Sequence, residues 1–284
     1  MKKFLAIALA AVLLFALAAC GGNGSAGADV VKVIDINLTE EEYAFGVDKN
    51  QPELLEATNT FINKIKEDGT FDAICNKYFG DGTPEAVTSA ELDETKDQLV
   101  VATNAAFAPF EYTEDGGKSF LGIDMEIAGL LAKELGKELV IVDMEFESVC
   151  TSVQLGQCDI AMAGLTINEE RKDLVNFSDS YYNASQQIIV LSDNTEFDAC
   201  TSAADVEAIL NAKDTSCKVG VQKGTTGNWY VAGDADWGFA GFPVTCKEFD
   251  NGSLAVQALL NGNIDYVVID SAPAAKIVAS FNAQ

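Results

Sequence analysis

The sequence predicts an α/β protein built from two domains. From Leu99 onward, β-branched apolar runs alternate with segments of helical period, the pattern of parallel strands joined by helices. At 284 residues the chain exceeds one typical core of about 100–200 residues. In such folds ligands gather at the carboxyl ends of the strands, and here those ends carry the unusual residues.

The amino terminus reads as an export leader. Lys2 and Lys3 precede an apolar run from Phe4 to Ala19, which is short for a membrane span of about 20 residues. Leu17-Ala18-Ala19-Cys20 resembles the bacterial lipobox, which makes Cys20 the expected lipidation site and first mature residue. Residues 1–19 are then a signal peptide. Residues 20–29, rich in Gly, Ser and Ala, form a flexible tether, so the mature chain is anchored to a membrane rather than spanning it.

The net charge of −26, more negative still once Lys2 and Lys3 are removed, argues against nucleic acid and anionic membrane surfaces as partners. The absence of histidine excludes Ser-His and Cys-His catalysis and His-ligated metal. No cofactor or metal is expected. Six cysteines beyond Cys20 suggest disulfides outside the cytoplasm, with Cys150–Cys158 and Cys217 paired to Cys200 or Cys246 as the expectation.

In chain order, Val30 to Ile36 alternates as a strand, and Tyr43 to Val47 is a second. Pro52 opens an amphipathic helix carrying Leu54, Leu55, Phe61, Ile62 and Ile65, and Phe71 to Tyr78 forms another helix ending near Gly80. Asp81 to Gln98 is polar, acidic and weakly patterned, a linker. Leu99–Thr103 is a strand, Gly122–Leu135 a helix stopped by Gly136, Leu139–Val142 a strand, Ser148–Leu155 a helix and Asp159–Ala163 a strand. Asn168 reads as a helix cap, with Glu169 and Glu170 in the first turn and Arg171 projecting beside the strand end. Strands follow at Gln187–Leu191, Lys218–Gln222, Val244–Phe249 and Tyr266–Ile269. Helices fall at Asp205–Leu210, Leu254–Leu260 and Pro273–Ala279.

Four strand ends hold candidate binding residues: Asn104 and Phe107, with Phe146 further on; Ala163, Gly164 and Thr166 with Arg171; Gln222 and Thr226; and Asp270. A guanidinium fork beside free backbone N–H groups suits a small carboxylate. The glycine-rich segment Gln222 to Gly227 has neither P-loop nor dinucleotide-fingerprint spacing.

The segments ATNAAFAPFEY, FLGIDMEIAGLLAKELGKELVIVDMEF, DIAMAGLTINEERKDLVNFSDSYY, VGVQKGTTG and LLNGNIDYVVIDSAPA resemble, in order, the polar amino acid substrate-binding proteins of ABC transporters, closest to the glutamine- and histidine-binding members. The resemblance implies a periplasmic-binding-protein-like fold: two α/β lobes, a hinge of two crossing strands and a ligand in the cleft between them. It implies that Arg171 grips the ligand α-carboxylate, aided by backbone at Thr166 and Thr226. Gly164 and the Thr166 hydroxyl then flank the α-amino group, and Asp270 neutralises it from the other lobe. Phe107 and Phe146 sandwich the ligand side chain, and Asn104 and Gln222 read its tip. Asn104 stands where the glutamine-binding motif has Asp, and Ala163 and Gly164 replace the serines of the histidine-binding type. The expected ligand is therefore an uncharged polar amino acid, with Arg or Lys second.

The segment from Val31 to Gly80 resembles the family's carboxyl-terminal end, displaced to the front. A circular permutation accounts for this. The expected map places lobe II at 30–42 and 191–284, a hinge strand with the lobe I closing helices at 43–80, and the permutation linker at 81–97. Lobe I occupies 98–185, and the second hinge strand 186–190. The crossings are expected near Tyr43–Val47 and Gln186–Val190. The resemblance implies a monomeric, lipid-anchored extracytoplasmic protein that hands an L-amino acid to an ABC transporter permease. A sensory module sharing every site residue, and a dehydratase on the same fold, are the alternatives.

Overall fold

The computed structural model describes residues 28–114, 117 and 119–283. The leader, Cys20 and most of the tether lie outside the described residues. No described helix is long and apolar enough to cross a membrane.

The described residues form two five-stranded sheets. In the first, the order is Asn176–Phe177, Gly46–Val47, Ile160–Ala161, Gln98–Thr103 and Glu138–Asp143. Ile160–Ala161, Gln98–Thr103 and Glu138–Asp143 run parallel, whereas Gly46–Val47 pairs antiparallel with both of its neighbours. In the second, the order is Val31–Ile34, Gln186–Leu191, Tyr266–Asp270, Lys218–Gln222 and Thr245–Phe249, again with three parallel strands and a second strand, Gln186–Leu191, antiparallel to both of its neighbours. Helices Pro52–Glu67, Thr70–Phe79, Ile123–Glu134 and Phe146–Gln154 belong to the first lobe. Ala203–Asn211, Thr226–Ala232, Gly252–Leu260 and Ser271–Asn282 belong to the second.

The lobes are joined by an antiparallel ladder of Glu41–Tyr43 against Tyr182–Ala184. The crossings thus precede the expected positions. Gly46–Val47 and Gln186–Leu191 are already paired within their sheets, and an apolar run such as Ile188-Ile189-Val190 reads alike in a hinge or a sheet. The edge strand from Val31 runs beside the end of the last helix. Asn282 Oδ1 accepts from the N–H groups of Val30 at 2.9 Å and Val31 at 3.2 Å, and Asn282 Nδ2 donates to the Val31 carbonyl at 2.9 Å.

One expectation, the disulfides, needs correction. The segment after Gly80, expected as a linker, is docked on the first lobe: Val87–Thr88 pairs with Ser119–Phe120, and Ser89 Oγ accepts from Ile141 N–H at 2.8 Å. Its polar sequence hid this, because side-chain and edge hydrogen bonds hold it in place of an apolar face. The six described cysteines are free thiols. Parallel register sets Cys246 opposite Val219, two residues along from Cys217. That diagonal separation, about 7–8 Å, exceeds disulfide reach. Cys158 bonds the Ser152 carbonyl, and Ser152 lies about 200° around its helix from Cys150. Cys200 packs as a thiol at the edge of the apolar cluster that contains Cys217.

Candidate functional site

Each sheet directs its parallel strands' carboxyl ends into the cleft. In the first lobe, Gln98–Thr103 ends at Asn104, and the chain turns into a hairpin that pairs Phe107 with Glu111. Ile160–Ala161 leads to Gly164, whose φ of +54° suits glycine. A Cβ there would lie 3.0 Å from the Phe107 ring, so glycine also lets the backbone approach that ring closely. Asn168 caps Glu169–Leu174, its Oδ1 accepting Arg171 N–H at 2.8 Å. Arg171 is buried, and its Nη1 donates to the Thr166 carbonyl at 2.9 Å.

In the second lobe, Lys218–Gln222 ends at Gln222, and Thr225 caps Thr226–Ala232, a helix that the sequence patterning does not mark. Tyr266–Asp270 is buried along its whole length and delivers Asp270.

Phe107, Phe146, Gly164, Thr166 and Arg171 of the first lobe meet Gln222, Thr225, Thr226 and Asp270 of the second around one small cavity. The space left, about 10 Å³, holds about one water. Eight of the ten candidate residues line it. Asn104 joins through Gln222, whose Nε2 donates to Asn104 Oδ1 at 3.1 Å. Ala163 lies instead in the apolar cluster with Val149, Val153 and Val175. As a small apolar residue on a buried strand end, it packs beneath the site. Phe146 lines the cavity with Phe107, and its ring also lies 5.2 Å from the Arg171 guanidinium carbon.

The lobes are closed on each other. Arg171 Nη2 donates to the Gly224 carbonyl at 3.1 Å, Thr226 Oγ1 to Thr166 Oγ1 at 3.1 Å, and Lys223 pairs with Glu147 at 2.6 Å.

Sequence reasoning placed Tyr43 at a crossing but missed Glu41 and the bond from Tyr43 to Asp270. Glu41 is buried and accepts from Thr39 Oγ1 at 2.6 Å, Thr166 Oγ1 at 2.7 Å and Gln186 Nε2 at 3.0 Å. Tyr43, on the same face two residues on, donates its phenol to Asp270. Burial, and then the Glu41 charge, lift the Asp270 carboxyl to about 7. Burial lifts Asp124, which accepts from Gly164 N–H and Tyr181, to about 7 as well. Glu111, fully buried, is pushed well above the carboxylate range by desolvation and then by Asp124 and Asp270. In the sequence Glu41 sits within a run of three glutamates, and only the alternation of burial along Glu41–Tyr43 in the structure sets it apart.

The profile of the bacterial extracellular solute-binding proteins, family 3, matches residues 99–271. The arginine-binding extracellular protein ArtP of Bacillus subtilis (strain 168) is 37% identical over 131 residues, 46% of this chain and 46% of that protein. A probable histidine-binding protein of Neisseria gonorrhoeae is 32% identical over 181 residues, 63% of this chain and 60% of that one. The matched stretch therefore spans between about half and under two thirds of these relatives. Among solved structures, an ancestral arginine-binding protein bound to glutamine superposes with a TM-score of 0.54 at 37% identity, covering 65% of this chain and 74% of that one. The ancestral amino acid-binding protein AncCDT-1, a precursor of cyclohexadienyl dehydratase, gives 0.54 at 34% identity, covering 63% and 73%.

Proposed function

We propose, for a chain that belongs to the bacterial extracellular solute-binding proteins, family 3, that it captures an L-amino acid by cleft closure and delivers it to an ABC importer. The observation that carries this reading is the meeting of a buried cation, Arg171, and a buried anion, Asp270, from opposite lobes at one cavity. A zwitterion matches both only when the lobes close, and such differential contact is what allows a ligand to drive closure. Arg171 takes the α-carboxylate, with backbone at Thr166 and Thr226. Asp270 takes the α-ammonium, with Gly164 and the Thr166 hydroxyl beside it. Phe107 packs on the side chain, and Asn104 and Gln222 read its tip.

The tip is read as a donor. Asn104 Nδ2 is committed to the Met144 carbonyl at 2.8 Å, so its Oδ1 accepts from Gln222 Nε2. Gln222 Oε1 is then left buried with no hydrogen-bond partner among the described residues. A buried acceptor without a donor costs about 1–3 kcal/mol, which favours an amide, guanidinium or ammonium tip over a carboxylate. The relatives named for arginine and histidine agree with this preference.

In this reading the chain is not an enzyme, because Asp270 is engaged by Tyr43 and serves the amine. The protein acts outside the cytoplasm as a monomer, anchored through a lipid at Cys20. The order of its parts is a circular permutation: the strand from Val31 completes the second lobe, helices Pro52–Glu67 and Thr70–Phe79 complete the first, and residues 81–97 join the ancestral ends. Support comes from the pairing of Val31–Ile34 with Gln186–Leu191 and from Asn282 holding Val30 and Val31. A rearranged chain with Asn282 linked to Val30 and new ends opened within 81–97 should fold and bind equally. Failure to fold would contradict the permutation.

Isothermal titration of the full chain, refolded from denaturant, with L-arginine, L-glutamine and L-glutamate tests the binding reading. The expected result is binding of arginine or glutamine and rejection of glutamate. Binding of glutamate alone, or of none, would contradict it.

A further inference from the structure

One large aromatic side chain reaches across the cleft without lining it. The helix Thr226–Ala232 ends at Gly233, and the following loop is braced from within. Asp234 and Phe239 exchange backbone hydrogen bonds of 2.9 Å, and Asp234 Oδ1 accepts from Asp236 N–H at 2.9 Å and Trp237 N–H at 3.1 Å. Phe239 packs on Tyr230, with ring centres 5.5 Å apart. The loop is thus a built platform of the second lobe, and it presents Trp237.

The indole serves the other lobe. Its Nε1 donates to Glu170 Oε2 at 3.2 Å, and its ring lies 5.3 Å from the Arg171 guanidinium carbon. Arg171 therefore lies under two rings, Phe146 from its own lobe at 5.2 Å and Trp237 from the opposite lobe. The first contact stays within one lobe. The second exists only when the lobes are together.

Resting on the binding reading above, we infer that Trp237 is a positioning residue: it latches the closed cleft onto Glu170 and fixes the Arg171 guanidinium in place for the ligand carboxylate. A cation–π contact of this kind is strengthened when the cation is desolvated, as the buried Arg171 is. The latch forms after the ligand has entered, so it acts on release more than on capture. The Lys223–Glu147 pair is a further contact between the two lobes.

The test is stopped-flow binding of whichever of L-arginine, L-glutamine and L-histidine the chain binds most tightly. Trp237→Ala should raise the dissociation rate about tenfold, with the association rate changed less than about threefold. Trp237→Phe, which keeps a ring and loses the N–H, should fall between Trp237→Ala and the parent, and it serves if the alanine variant fails to fold. Glu170→Gln should also speed release. An unchanged dissociation rate in these variants, or a loss confined to association, overturns the inference.

A second readout follows the contact itself. With Trp229→Phe, Trp237 is the sole tryptophan, and its emission should move to the blue and become shielded from acrylamide when the ligand is added. Unchanged emission overturns the latch. If none of the three amino acids binds, the ligand reading fails separately. Adding Arg171→Ala to the single-tryptophan chain then decides the contact: greater acrylamide quenching sustains it, and identical quenching overturns it.

Discussion

Gln222 of one lobe and Asn104 of the other are joined by a hydrogen bond of 3.1 Å from Nε2 to Oδ1. Because Asn104 donates its Nδ2 to the Met144 carbonyl, the pair has one direction, and Gln222 Oε1 is left buried without a partner among the described residues. Gln222→Leu removes that acceptor. Its affinity for L-glutamine or L-arginine should fall by about tenfold or more, while any binding of an alkyl amino acid of equal length is kept. Titration calorimetry with both ligand types reads the difference, and equal losses would place Gln222 away from the side-chain tip.

Arg171→Ala should lower affinity at least tenfold with the far-UV spectrum unchanged, because a desolvated ligand carboxylate loses its partner. Titration calorimetry checks it. Parental affinity in this variant would remove Arg171 from the carboxylate role.

Asp270 sets a pH dependence. In the folded chain its carboxyl sits at about 7 against an ordinary 3.8. Between those values the folded chain binds more protons than the unfolded one, so this group makes stability fall as pH rises through that window. Asp270→Asn cannot ionise, and its thermal midpoint relative to the parent should improve between pH of about 4 and about 7. A gap that stays constant would contradict this. Ligand binding runs the other way: an ammonium favours the ionised carboxylate, so affinity should weaken by up to about tenfold per unit of pH below about 7.

Glu41→Gln tests the hinge acid. Without its charge Asp270 should ionise at lower pH, and the fall in affinity should move to lower pH with it. Three donors lose an anionic acceptor, so stability should drop by about 1–3 kcal/mol in denaturant unfolding. An unshifted affinity profile would show that Glu41 does not act on Asp270.

Gly164→Ala should destabilise by about 1–2 kcal/mol, the cost of a side chain at its left-handed backbone angle. It should also weaken binding by displacing Phe107. Denaturant unfolding and titration calorimetry check the two effects, and a neutral variant would show that the loop relaxes freely.

Much of this site was legible because its signals are local. Asn168 announces a cap, Arg171 follows at fixed spacing in the first turn, and Asp270 ends an apolar run, each readable without knowing the partner strand. Glu41 was not legible. Three glutamates in a row look like a solvated face, and only the pairing with Tyr182–Ala184, far along the chain, shows which one is buried. Trp237 lies in a loop with no periodicity to betray its reach toward Arg171. Residues 226–232 carry Gly227 and aromatic side chains that argue against a helix, and the Thr225 cap outweighed them. Cysteine count implied pairing, but spacing carries no distance, and the strand register keeps Cys217 and Cys246 apart.

The central claim is that closure is driven by an amino acid between Arg171 and Asp270. Its most direct test is thermal unfolding of the refolded chain against the twenty L-amino acids at about millimolar concentration. A ligand at about 1,000 times its dissociation constant stabilises by about 4 kcal/mol, a rise of very roughly 10 °C for a chain of this size. One or a few donor-tipped amino acids should produce that shift in the parent and lose it with Arg171→Ala. No shift from any of the twenty, or equal shifts in parent and variant, would contradict the account.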